Sequence, residues 1–406
     1  MNWTAAGAFS ADAGFDFEAR CALGRAATGV GDVGLVLATL DRIGGGGPQA
    51  WFDEWSATAR DLQARADAAT AAGHPATAGW AYLAAADYFA VALGALDGLA
   101  DQSVLRPTFA ASEHCWQAWI DASAGAHVRV DVPYAGTTLP GWLLRPDASG
   151  ARRTTLVMTN GSDGSRPALV ANGAAEALAR GWNVFLYDGP GQQSMLFERG
   201  IPFRPDWEAV LTPVIDALVG RADVEADTLV GYGVSQAGYW LPRALAFEHR
   251  LVAAVADPGV MDVSTSWLGH LPPELVGLLR SGDKDTFNGY MAQMSADPDA
   301  ERTFLFRARP YGLAEDPFDV FTEVMAYDLR GVVGQIRTPL LITDPADEQF
   351  WPGQSQQLYD ALTGEKQLLA GTVDEGANWH CEPLGRQLTN KPMLDWLADR
   401  LTARSR

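Results

Sequence analysis

The segment Val230-Gly231-Tyr232-Gly233-Val234-Ser235-Gln236-Ala237-Gly238 decides how this chain is read. A short apolar strand, Thr228–Tyr232, runs straight into a serine, and a helical pattern, Gln236–Glu248, follows at once. So tight a strand–turn–helix junction needs small residues two before and two after the serine, and Gly233 and Ala237 meet that need, with Gly238 next. Ala237 stands where the strict pattern has a second glycine, a mild departure. The helix start beneath Ser235 offers backbone N–H groups to a developing negative charge, which makes Ser235 a candidate nucleophile and Gln236 N–H a candidate oxyanion donor.

On either side, strands and helices alternate. Strands are expected at Thr155–Thr159, Trp182–Tyr187, Leu251–Ala256, Pro339–Thr343 and Lys366–Leu369. Helices are expected at Pro167–Ala179, Trp207–Val219, Gln354–Leu362 and Leu384–Leu401. That rhythm predicts an α/β fold around a mostly parallel, doubly wound sheet. A hairpin, His127–Val132 and Leu139–Leu144 around a Tyr134-Ala135-Gly136 turn, opens it. Residues 1 to about 125 lack strand alternation and carry helical spacing, as in Trp51, Trp55, Ala59, Leu62 and Ala66, with Gly44–Pro48 as a breaker. They read as a helical N-terminal domain ahead of an α/β domain over 126–406. Between about 258 and 334 the rhythm stops, and helical segments such as Glu274–Leu279 and Asp285–Met294 read as a lid insertion.

A serine needs a base, and that base needs an orienting acid. His380 follows the last expected strand through the loop Glu375–Trp379 and precedes the last helix, which suits the base; His249 and His270 lie elsewhere. The acid belongs just after Pro339–Thr343, where Asp344, Asp347 and Glu348 compete. The loop must reach across to the histidine, which favours Asp347; the other two then read as solvated carboxylates. The loop Asn160-Gly161-Ser162-Asp163-Gly164, after an early strand, offers the N–H of Gly161 or Ser162 as the second oxyanion donor. Asp188, in Tyr187-Asp188-Gly189-Pro190-Gly191-Gln192-Gln193, is assigned to pocket shape and support, and Asp257 to a supporting role. Among the aromatic residues Trp267, Phe287, Phe350, Trp351 and Trp379, some are expected to line an apolar pocket.

The 406 residues are 48% hydrophobic and carry a formal charge of −20, which would repel a phosphate backbone or an anionic membrane surface. Neither nucleic acid nor membrane is therefore an expected partner. The opening Met1–Thr4 shows no basic stretch ahead of an apolar core, and no run of about 18 apolar residues exists, so a cytoplasmic protein is expected. Cys21, Cys115 and Cys381 form no CxxC pair, which fits a reducing compartment, and Cys381 reads as packing beside His380. Scattered histidines give no metal motif, and no dinucleotide fingerprint follows a first strand, so neither metal nor cofactor is expected.

The Asp188–Gln192 string, the turn at Ser235, the Val132–Gly141 hairpin and the helical N-terminal segment together resemble the α/β-hydrolases related to 2,6-dihydroxypseudooxynicotine hydrolase, a broad group that includes a fungal heptaketide chain-shortening hydrolase. Gln193 departs from the glycine that often stands there. The resemblance implies a Ser-Asp-His triad of Ser235, Asp347 and His380, a helical N-terminal domain over the mouth of the site that can carry a homodimer contact, and a small-molecule substrate. It also implies that some relatives cleave a carbon–carbon bond beside a ketone. A carboxylesterase uses the same triad, and a non-catalytic binding protein could keep the fold; both stand as alternatives.

Overall fold

The computed structural model describes residues 9–294 and 297–404; the Met1–Thr4 opening lies outside them. Ten strands form the framework: β1 His127–Arg129, β2 Val132–Tyr134, β3 Thr137–Leu139, β4 Gly141–Leu144, β5 Arg153–Thr159, β6 Asn183–Tyr187, β7 Val224–Val234, β8 Ala254–Asp257, β9 Leu340–Pro345 and β10 Lys366–Gly371. Eight of them make one sheet in the order β1-β4-β6-β5-β7-β8-β9-β10, while β2 and β3 pair separately. β4 runs antiparallel to both its neighbours, β1 and β6; from β6 to β10 all pairings are parallel. This is the mostly parallel, doubly wound sheet expected from the strand–helix rhythm, and it agrees with the resemblance to the α/β-hydrolases.

The expected opening hairpin divides in two. Ala135 and Gly136 both take positive φ, 41° and 80°, the geometry of a tight two-residue hairpin turn. They join β2 to β3 in a small ladder of their own, while β1 and β4 pair in the main sheet.

The chain leaves β5 toward β6 on one side, then crosses to β7 on the other. Ligands in open α/β sheets bind beyond the strand ends at such a reversal, and Ser235 follows directly on β7. Helices cover both faces, so the central strands are continuous apolar runs; all five residues of β6 are buried. Alternate residues serve opposite faces. Leu156, Met158, Val184 and Leu186 join one cluster, and Val157, Phe185 and Tyr187 the other.

The first of these clusters also contains the N-terminal helices Ala13–Ala27, Val33–Ile43, Pro48–Ala71, Pro75–Leu93 and Leu105–Ala122. Trp51, Trp55, Tyr88 and Trp116 lie in the same apolar body as Trp142 and Tyr232 of the sheet. The insertion between β8 and β9 joins the second cluster. Its Trp267 meets Tyr311 and Phe321 edge-on, with ring centroids 5.7 and 5.4 Å apart. Among the described residues no helix is long and apolar enough to cross a membrane.

A buried ion pair ties the first helix to the fourth: Arg25 Nε donates to Asp87 Oδ2 at 2.9 Å. Asp87→Ala would leave the guanidinium with Glu18 as its remaining carboxylate. Breaking a buried pair from one side costs about 3 kcal/mol. Urea denaturation is expected to show that loss, and a midpoint equal to that of wild type would count against it.

Candidate functional site

At the junction of β7 and the helix Ala237–Leu245, Ser235 holds φ at 59°, a left-handed conformation unusual for a residue with a side chain. The small neighbours explain how it fits. A Cβ on Gly233 would lie 2.4 Å from Ala237 O, and one on Gly238 would lie 1.8 Å from Pro258 O. A Cβ on Gly161 would come within 2.6 Å of Ser235 Cβ, so the β5 loop approaches the serine only because position 161 has no side chain.

His380 reaches this serine from the far end of the sheet. Its Nε2 lies 2.9 Å from Ser235 Oγ. Its Nδ1 lies 2.8 and 3.0 Å from the two carboxylate oxygens of Glu348. The acid against the imidazole is thus Glu348, not the expected Asp347. Residue 347 is exposed, and its Oδ2 accepts a hydrogen bond from Asn378 Nδ2 at 2.7 Å. Its N–H donates to Asn378 O at 2.7 Å, so Asp347 fastens the two loops together from outside. The loop turns the next side chain inward, and the longer glutamate spans the remaining gap. Asp344, half-buried at the end of β9, makes no contact with the imidazole among the described residues.

Glu348 is buried, which by itself would raise its pKa. His380 and the N–H groups of Phe350 and Trp351 more than offset that, holding the carboxyl below its ordinary value. With Nδ1–H donating to Glu348, Nε2 is free to accept the serine proton.

Two N–H groups beside the serine, those of Gln236 and Ser162, donate to no protein acceptor among the described residues. The N–H of Gly161, the other expected donor, is occupied by Asn160 Oδ1 at 2.9 Å. Asn160 in turn donates to Gly164 O and Ser165 O, and Gln192 Nε2 donates to Asn160 O at 2.7 Å and Gly161 O at 3.1 Å. The glycine-rich string after β6 therefore buttresses this loop, through Gln192. Asp188 itself turns away, accepting from Ser194 Oγ at 2.6 Å and lying 3.6 Å from Arg166 Nε. Asp257 is fully buried beneath the site, in contact with Tyr232, Thr343 and Arg386.

The aromatic residues separate into two groups. Trp267 and Phe287 are buried in the insertion's own core. Phe350 and Trp351 stand against His380, with ring centroids 4.8 and 5.6 Å from that of its imidazole. Trp379 packs under the Arg20 guanidinium at 4.8 Å, on the first helix. That helix also brings Phe17 to 6.1 Å from the imidazole and 5.7 Å from Phe350. Tyr311 of the insertion comes to 3.5 Å from Gln236 Nε2. Phe17 and Tyr311 were not singled out from the sequence, Asn160 was named only as part of its loop, and Glu348 was weighed but passed over for Asp347. The one local signal was the run Glu348-Gln349-Phe350-Trp351, which puts two backbone N–H groups within reach of a glutamate.

Comparison with known proteins follows the same outline. No protein-family model matches the chain. Hydrolase LUC6 of a Fusarium species is 31% identical over 403 residues, covering 94% of this chain and 95% of the relative. The 20-hydroxy-prefusarin hydrolase FUS2 of Gibberella moniliformis is 28% identical over 404 residues, with the same coverage. Other fungal relatives are named alpha/beta hydrolases. Among solved structures, 2,6-dihydroxy-pseudo-oxynicotine hydrolase superimposes with a TM-score of 0.74 at 20% identity, over 94% of this chain and 96% of its own.

The Glu348 carboxyl makes stability depend on acid. Its folded pKa lies below the ordinary 4.5, so its contribution is complete above 4.5 and disappears as the pH falls through the folded value. Urea titrations across that acid range should show wild type losing stability that Glu348→Gln does not lose. Parallel profiles would refute the assignment.

Proposed function

The chain belongs to the α/β-hydrolase family, and from that premise we propose that it is a serine hydrolase cleaving a carbon–carbon bond beside a ketone in an aromatic or polyketide-like substrate. The observation that carries the catalytic part is the unbroken series Ser235 Oγ, His380 Nε2, His380 Nδ1 and Glu348 carboxylate, each step within 3.0 Å. Serine becomes nucleophilic when a base takes its proton as it attacks, and the base works when its other nitrogen is held and its cation stabilised.

In the proposed cycle Ser235 Oγ attacks the ketone carbon while its proton passes to His380 Nε2. The N–H groups of Gln236 and Ser162 receive the oxyanion. Collapse of the adduct breaks the bond to the adjacent carbon, whose electron pair is delocalised into a neighbouring carbonyl or phenol. His380 returns its proton to that carbon. Water, deprotonated by the same histidine, then releases the acyl group from Ser235 as a carboxylic acid. Phe17, Phe350 and Trp351 supply an apolar surface beside the base, which suits an aromatic or polyketide-like leaving group.

Support for the substrate class comes from the resemblance drawn from the sequence and from the named substrate of one relative, 20-hydroxy-prefusarin. Turnover of a β-diketone panel, compared with short p-nitrophenyl esters, tests it. Faster and unselective turnover of the esters would establish a carboxylesterase instead.

The choice of acid is tested separately. Glu348→Gln removes the charge that stabilises the imidazolium and is expected to lower kcat by on the order of 10³–10⁴-fold. Asp347→Asn, at an exposed position, is expected to stay within about tenfold of wild type. The reverse order would restore Asp347 to the role.

A further inference from the structure

Three residues with side chains and positive φ meet in one place: Ser235 at 59°, Cys381 at 54° and Glu382 at 41°. Such backbone is unfavourable and persists only where the surroundings over-determine it. Here the surroundings converge on Asp257, the last residue of β8. Its main-chain oxygen accepts both the N–H of Ser235, at 2.6 Å, and the thiol of Cys381, at 3.2 Å. One carbonyl thus joins the nucleophile to the residue that follows the base.

The carboxylate of Asp257 is itself held on every side. It accepts from Arg386 Nη1 at 2.9 Å, Tyr232 Oη at 2.5 Å and Thr343 Oγ1 at 2.7 Å. Burial would raise its pKa, but Arg386 and these donors bring it below the ordinary value. The same guanidinium, 3% exposed, donates to Cys381 O at 2.6 Å and to Tyr232 Oη at 2.6 Å. Tyr232 stands three residues before the serine, and Cys381 one after the histidine. Arg386 therefore grips the strand that carries the nucleophile and the loop that carries the base.

We propose that Arg386, acting through Asp257 and Tyr232, is a positioning residue that sets the Ser235–His380 separation before substrate arrives. Its planar fork serves five acceptors at fixed angles, Asn172 O and Asn390 Oδ1 besides those of Asp257, Cys381 and Tyr232, which a lysine ammonium at the same place does not reproduce. Misplacing catalytic groups by about 1 Å can cost on the order of 10²-fold in rate. The proposal rests on the reading of Ser235 and His380 as nucleophile and base.

Inactivation by a fluorophosphonate, followed to saturation, separates the bond-forming step (kinact) from binding (KI). Wild type, Arg386→Lys, Tyr232→Phe and Ser235→Ala are compared at a temperature where circular dichroism shows each of them folded. Arg386→Lys should lower kinact on the order of 10²-fold and Tyr232→Phe about tenfold, with KI within about twofold of wild type. Unchanged kinact, or a change confined to KI, overturns the proposal. If Arg386→Lys does not fold, Tyr232→Phe alone decides, because it deletes a single hydroxyl. Failure of the underlying reading looks different: wild type escapes labelling, or Ser235→Ala is labelled as fast as wild type, and the proposal falls with it.

Discussion

The structure depends on one close approach: the backbone turn at Ser235 pressed against the β5 loop on one side and the end of β8 on the other. Nothing but glycine fits at 161, 233 or 238 with this geometry, since an added Cβ would sit inside a neighbour at each position. The strained φ of Ser235 is held by the Asp257 carbonyl, and the N–H of Gln236, at the start of the helix that follows, donates to no protein acceptor among the described residues. Moving the serine would require moving three parallel strands whose apolar residues interlock on both faces.

Around that turn the polar residues are arranged by burial. Glu348 is the only carboxylate of its loop that enters the dry interior, and there it meets the imidazole and two backbone N–H groups. Asp347, facing water, does mechanical work by holding the loop to Asn378. Asp188, which supports a helix start, and Gln192, which braces the loop beside the serine, are both buried and serve different partners. In each pair the two side chains are near in sequence and differ in which way the backbone turns them.

The N-terminal helices belong to this arrangement and do not merely precede it. Their tryptophans share a core with the sheet, and the first helix lays Phe17 beside the His380 imidazole and Arg20 over Trp379. A substrate reaching Ser235 would therefore meet surface drawn from the helical segment, from the β9 loop and from the insertion through Tyr311. On the proposed reading, Ser235 follows a strand directly, Glu348 and His380 lie on the loops after β9 and β10, and the walls come from segments outside the sheet.

The parallel sheet, the serine turn and the histidine were legible in the sequence because each rests on a short-range rule. Strand–helix alternation sets the layers, small residues mark the turn at Ser235, and the position of His380 after the last strand follows from the order of the chain. The choice of Glu348 over Asp347 was not legible. Two adjacent acids have the same composition and spacing, and what separates them is the direction in which a folded loop points each one. The place of Phe17 and the convergence on Asp257 were hidden for the same reason. They are contacts between residues far apart along the chain, and only packing into a common interior decides which of the available partners meet.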